Sequence, residues 1–139
     1  MVRIFGHPIH PMLIVFPLGL LAASFFFDIA YLVLHNGELA LVAFWMIAAG
    51  VLGGLAAAVF GLLDWLSIED GTRAKAIGMW HGATNVLVVG IFTADWFLRR
   101  GAPSFPPIAA IVLSGIAVAL ALVGGWLGGE LVYGRDPVR

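Results

Sequence analysis

Cysteine is absent from the chain. Disulfides, thiolate-held iron–sulfur clusters and covalently attached c-type haem are therefore excluded, and any metal must be held by nitrogen or oxygen. Charge is almost as scarce. Charged residues are 11% of the sequence, against about 25% in an ordinary soluble domain, too few to coat a globule that faces water. The net charge of −1 offers nucleic acid no strongly basic surface. No nucleophile–base–acid constellation is present either. Gly124-Gly125-Trp126-Leu127-Gly128-Gly129 is rich in glycine, but it continues an apolar helix and lacks the strand-to-helix setting of a phosphate-cradling loop. An enzyme is not the expected reading.

What the chain does hold is apolar length. Hydrophobic residues are 62% of the 139 residues, and the mean hydropathy is +1.05. Crossing a bilayer takes about 20 consecutive apolar residues, and four segments supply them, at about 12–34, 39–66, 77–98 and 107–133. Short polar breaks separate them: His35-Asn36-Gly37-Glu38, the charged stretch from Ser67 to Lys75, and Arg99 to Ser104 ahead of Pro106-Pro107. Loops this short make neighbours antiparallel. The expected fold is all-α, a single integral membrane domain over residues 1–139 forming an up-down-up-down four-helix bundle. Arg3 followed by an apolar run and Ala22-Ala23-Ser24 imitates a signal peptide, but the run continues past that point and is read as a retained span. Arg3, Arg73, Lys75, Arg135 and Arg139 fall on one side and Arg99 and Arg100 on the other. That bias places both termini in the cytoplasm, in the inner membrane of a cell.

Small residues predict helix contacts at Gly50-x-x-x-Gly54, Gly78-x-x-x-Gly82, Gly124-x-x-x-Gly128 and Gly125-x-x-x-Gly129. Gly50, Gly54, Ala57, Gly61 and Asp64 share one face of the second helix, which should be buried against another helix. Pro17 should kink the first helix, and Trp45, Trp65, Trp80, Trp96 and Trp126 are candidate interface anchors.

Alternating helix direction brings His7, His10, Asp64, His81 and Glu130 to the same membrane side, although they are far apart in sequence. Ionisable groups inside a membrane bundle are costly and usually functional. In His7-Pro8-Ile9-His10-Pro11 each histidine precedes a proline, which favours an extended chain. A polyproline II geometry would point both imidazoles the same way, about 9 Å apart, with Pro11 opening the first helix. His81 has Gly78 and Gly82 beside it, which leave room for a flat ring system, and Asn85 one turn on as a partner to orient its imidazole. Asp64, at a helix C-terminus, needs a positive partner such as Arg73, a protonated histidine or a metal. Asp28, His35 and Asp95 lie towards the other side, where Asp95 can pair with Arg99 one turn on; these are read as structural. Each helical hairpin starts near a histidine (His10, His81) and ends near an acid (Asp64, Glu130). This faint repeat suggests a pseudo-twofold axis along the membrane normal.

Those motifs carry a resemblance. His7-Pro8-Ile9-His10-Pro11, Phe16-Pro17, Gly61-Leu62-Leu63-Asp64-Trp65, Trp80-His81-Gly82-Ala83-Thr84-Asn85 and the stretch from Gly124 to Tyr133 resemble the bacterial membrane family catalogued as domain of unknown function 2231, over nearly the whole chain. The chain departs from the family after Tyr133, where Arg135-Asp136 stands in place of a usual histidine-glycine pair. The resemblance implies no established activity. Similar domains joined to Rieske-type or cytochrome c-type modules imply redox company.

The leading expectation is a b-type haem protein moving electrons in the membrane. His81 and either His7 or His10 would be axial ligands, Asn85 would orient the His81 imidazole, and Arg3, Arg73 or Lys75 would face the propionates. The alternative is a non-haem zinc, iron or manganese ion on His7, His10, His81 and Asp64. A transport subunit, which with four helices would need to form a homo-oligomer, and a purely structural membrane subunit complete the alternatives.

Overall fold

The computed structural model describes residues 3–4 and 7–133, with side chains over 9–133. Arg3–Ile4 (β1) and His7–Pro8 (β2) pair antiparallel, with Ile4 opposite His7. Four helices follow: α1 (Ile9–Leu34), α2 (Gly37–Leu66), α3 (Arg73–Arg99) and α4 (Ile108–Tyr133). All four are long and apolar enough to span a membrane. At 26 to 30 residues each covers about 40 Å or more. The fold is the all-α membrane bundle that the sequence predicts.

The helix starts differ from expectation for one reason: an apolar run marks the span, whereas capping marks the helix. α3 begins at Arg73, because the Thr72 hydroxyl accepts the Lys75 N–H at 3.1 Å and supports a polar first turn. The start of α1 is a correction. The expected polyproline string stops at Pro8, and His10 and Pro11 lie inside the first helical turn. The first four N–H groups of a helix have no intrahelical acceptor, so Pro11 sacrifices nothing there. His7 does lie in extended backbone, but its side chain is outside the described residues, as are those of Arg3, Arg135 and Arg139.

α1 packs chiefly on α2, and α3 on α4, as two antiparallel hairpins. α2 against α3 and α1 against α4 join the hairpins into a four-membered bundle. α1 runs through Pro17 as one helix, and the buried proline ring seats on Gly53 of α2, where an added methyl would come within 3.3 Å. The small face of α2 serves two neighbours rather than one. A methyl at Gly50 would meet Leu21 of α1 at 2.6 Å, and one at Gly54 would meet Val89 of α3 at 3.0 Å. Leu21, Ile47, Val88, Phe92 and Ala117 form the central core. Most other large apolar side chains point outward, Phe16, Leu122 and Trp126 among them, as a bundle with lipid for solvent requires.

The glycine pairs divide. Gly78, Gly124 and Gly128 are occupied by neighbours inside the bundle, whereas Gly82, Gly125 and Gly129 have nothing within 4 Å. Gly125-x-x-x-Gly129 therefore packs against none of the described helices. Two tryptophans make contacts within the bundle. Trp96 stacks on Phe44 with centroids 5.1 Å apart, and Trp65 binds back onto the start of α3.

Candidate functional site

Helix direction sets two polar layers at opposite ends of the bundle. At the end where α1 begins and α4 finishes, His10 from the first turn of α1 and His81 from α3 meet edge to face. Their ring centroids are 6.2 Å apart and their planes lie at 89°. Each imidazole is fixed in the same way. His10 Nδ1 is 2.9 Å from the carbonyl oxygen of Ala57 on α2, and His81 Nδ1 is 2.8 Å from that of Gly124 on α4. A carbonyl only accepts, so each Nδ1 carries a hydrogen and donates it, and in the neutral ring Nε2 keeps the lone pair.

Glycines make this possible. One turn after each accepting carbonyl stands a glycine, Gly61 after Ala57 and Gly128 after Gly124. A methyl carbon at either would come 2.9 Å from Cε1 of the facing histidine. Only a bare backbone lets the imidazole lie flat on the helix and reach the carbonyl beyond. The two hairpins therefore repeat one device: histidine, carbonyl, and glycine a turn later. His10 and His81 are 71 residues apart and their two glycine partners 67 apart, so the repeat runs through helix packing rather than through residue identity.

Asn85 completes the surroundings of His81. Its amide donates to the His81 carbonyl at 2.9 Å, and its Nδ2 is 3.2 Å from Nε2 and 3.3 Å from Nδ1 of the ring. A position equidistant from both nitrogens in the ring plane would collide with Cε1. The amide therefore lies over the ring face, and it does not replace a ligand at Nε2. The room expected beside Gly78 is filled by the Trp65 indole, whose Cδ1 would be 2.8 Å from a methyl there. Trp65 Nε1 donates to the Lys75 carbonyl at 3.1 Å, and Lys75 Nζ donates to the carbonyls of Trp65 and Ile68 at 3.0 and 3.1 Å. This closes the turn between α2 and α3. Gly82, by contrast, remains open.

The other members of the expected layer are placed as follows. Asp64 is half-buried near the end of α2, three residues after Gly61, and its carbonyl accepts the Ser67 hydroxyl at 2.6 Å. Arg73 pairs with Glu130 of α4 at 3.5 Å and is largely exposed; Glu130 is thus tied to this end from the opposite hairpin. The expected proximity of His7 to these groups rests on a side chain outside the described residues. Among the described residues no three of His, Asp and Glu gather closely enough to hold a metal ion by themselves.

The loop end holds the cluster that sequence reasoning undervalued. Asp95 and Arg99 do pair one turn apart, Nε donating to Oδ1 at 2.8 Å. The guanidinium also grips Asp28 of α1 with two hydrogen bonds, at 2.8 and 3.0 Å. Ser114 of α4 donates to Asp95 Oδ2. All four side chains are fully buried. The available signal was the depth argument itself, since Asp28 and Ser114 sit six residues inside their helices and Arg99 ends α3. Asp28 and Arg99 are also 71 residues apart, the spacing of the two histidines.

Residues 6–136 match the family described as predicted membrane protein, DUF2231. No curated protein and no solved structure matches the chain.

Proposed function

The chain belongs to that family of predicted membrane proteins, and on that premise we propose that His10 and His81 are a bis-imidazole ligand pair for a b-type haem that carries electrons in the membrane. The observation behind this reading is the pair itself: two imidazoles from different hairpins, each with Nδ1–H tied to a backbone carbonyl. Tying Nδ1 in this way orients a ligating histidine and raises the basicity of Nε2. The ring centroids are 6.2 Å apart with planes at 89°, the separation of a direct edge-to-face contact. Binding would therefore need the rings to turn both Nε2 atoms towards one shared group.

The donor set favours haem over a bare ion. Zinc and manganese take four or more ligands from the protein and water, and the described residues bring only two nitrogens together here. For a haem, His10 and His81 would be the two ligands that the helices supply, the macrocycle bringing the rest. Bound there, the group would supply one-electron chemistry. The protein's part is to hold two neutral rings and to pack Asn85 over one of them. Largely exposed and loosely paired with Glu130, Arg73 is free to turn towards a propionate.

A bare zinc, iron or manganese ion is the second reading, favoured by one observation: Asp64 follows by three residues the glycine on which His10 lies. His7 would join that set.

The histidine end is assigned to the cytoplasmic side of the inner membrane. Arg73 and Lys75 lie at that end, whereas at the loop end Arg99 is consumed inside the bundle and only Arg100 is exposed. A redox protein of Rieske or cytochrome type is the expected partner.

An absorption spectrum with metal analysis of the detergent-solubilised chain tests the proposal. A Soret band lost in both His10→Ala and His81→Ala supports it. Colourless, iron-free protein overturns it; bound zinc without a chromophore favours the second reading, and neither metal nor chromophore leaves a structural subunit.

A further inference from the structure

The loop end of the bundle presents a charge count that does not balance. Asp28, Asp95, Arg99 and Ser114 have no solvent exposure, and they comprise two carboxyl groups and one guanidinium. α1 contributes Asp28 and Ser24, whose hydroxyl is spent on the Leu21 carbonyl. α3 contributes Asp95 and Arg99, and α4 contributes Ser114. α2 contributes apolar side chains, Ala40, Ala43, Phe44 and Ile47. Among the described residues no second cation enters: His35 is exposed, and Arg100 is exposed and stacked over Phe97 at 5.0 Å. With both acids ionised the cluster carries a surplus negative charge in a dry, lipid-surrounded interior, which costs several kcal/mol.

We propose that this cluster is a proton-binding site, in which Asp28 and Arg99 form the ion pair and one proton is held between Asp95 and Ser114. The guanidinium donates to both oxygens of each acid, to Asp28 from Nη1 and Nη2 at 2.8 and 3.0 Å and to Asp95 from Nε and Nη2 at 2.8 and 3.1 Å. What distinguishes Asp95 is a further partner on Oδ2, the Ser114 hydroxyl. A hydroxyl both donates and accepts. When Asp95 holds the proton, it donates to Ser114 Oγ, and the serine hydrogen turns to a carbonyl one helical turn back, as helical serines commonly do. When Asp95 releases the proton, the serine donates to it. The exchange therefore needs a hydroxyl rotation and no movement of helices. The proton comes from and returns to water at the near end of the bundle. Asp28 lies six residues from the end of α1, about 9 Å along the helix, whereas the apolar core of Leu21, Ile47, Val88, Phe92 and Ala117 closes the other direction.

Infrared spectroscopy of the full chain in lipid nanodiscs at neutral pH tests this. The unmodified protein should show a non-ionised carboxyl C=O band that moves to lower frequency when aspartate is labelled with carbon-13. Asp95→Asn and Asp28→Asn should each abolish it, since either change leaves one carboxylate facing one guanidinium. Ser114→Ala should keep the band and shift it by removing its hydrogen-bond partner, and Asp70→Asn, at an exposed turn, should leave it untouched. Absence of a label-sensitive band in the unmodified protein overturns the proposal whatever the variants do. A band that survives Asp95→Asn, or one that Ser114→Ala leaves in place, rejects the Asp95–Ser114 location.

Discussion

Alanine at Gly128 puts a methyl carbon 2.9 Å from Cε1 of His81 and 3.2 Å from Nδ1, the atom bonded to the Gly124 carbonyl. The imidazole must swing away, and the hydrogen bond goes with it. Three contributions set the result. Helix propensity favours alanine over glycine by about 1 kcal/mol, overpacking costs about 1–3 kcal/mol, and the lost hydrogen bond costs about 1 kcal/mol. The net loss is about 1–3 kcal/mol. Gly82 provides the internal control, because a methyl there meets nothing within 4 Å; Gly82→Ala should gain up to about 1 kcal/mol from propensity alone. The two substitutions are chemically identical, and their signs should differ. Equilibrium unfolding in mixed micelles, followed by the fluorescence of the five tryptophans, reads both. Gly61→Ala should repeat the Gly128→Ala result through His10, which faces it at the same 2.9 Å. Equal shifts for Gly128→Ala and Gly82→Ala would refute the argument that packing against imidazole, and not intrinsic helix preference, selects glycine here. If haem is bound, Gly128→Ala should also weaken its retention.

Other substitutions probe the remaining polar contacts. Arg99→Gln leaves two buried carboxyl groups without their cation and should destabilise the bundle by about 3–5 kcal/mol, with the unfolding midpoint as the readout; a change below about 1 kcal/mol would mean that the charge is compensated elsewhere. Lys75→Met removes two hydrogen bonds, at 3.0 and 3.1 Å, from the carbonyls of Trp65 and Ile68. A loss of about 1–2 kcal/mol is expected, with faster backbone amide exchange in α3's first turn; unchanged exchange argues against a clamp. His10→Ala and His81→Ala should remove bound chromophore equally, since the two rings are held alike, and a variant that retained full absorbance would exclude that histidine as a ligand.

The four spans were legible because they depend on composition alone. A stretch such as residues 107–133, nearly free of charge, has no stable home but lipid or a protein interior. Boundaries were less so. α3 starts at Arg73 because Thr72 caps a polar turn, and hydropathy is blind to capping. The convergence of His10 and His81 followed from helix direction, which short loops dictate. The carbonyl acceptors did not follow, because Ala57 and Gly124 act through backbone oxygens that no residue type announces. The acid cluster shows the opposite failure. A pair such as Asp95–Arg99 has an obvious local explanation at helical spacing, which concealed a stronger partner, Asp28, 71 residues away. The grip on Asp28 depends on which way α3 is rotated about its own axis, and that is settled by packing.

The apolar core between the two polar ends also acts as an insulator. His10 and Asp28 are 18 positions apart on one helix, a span of about 27 Å. At an effective dielectric constant of about 20, one elementary charge gained at one end alters the energy of another at the far end by only about 0.6 kcal/mol. The core cluster between them is apolar, and Ser24, a buried polar side chain on that stretch of α1, spends its hydroxyl on the Leu21 carbonyl. Whatever titrates or is reduced at one face of the bundle is thus close to electrically independent of the other, and the two ends can answer to the two compartments that a membrane divides.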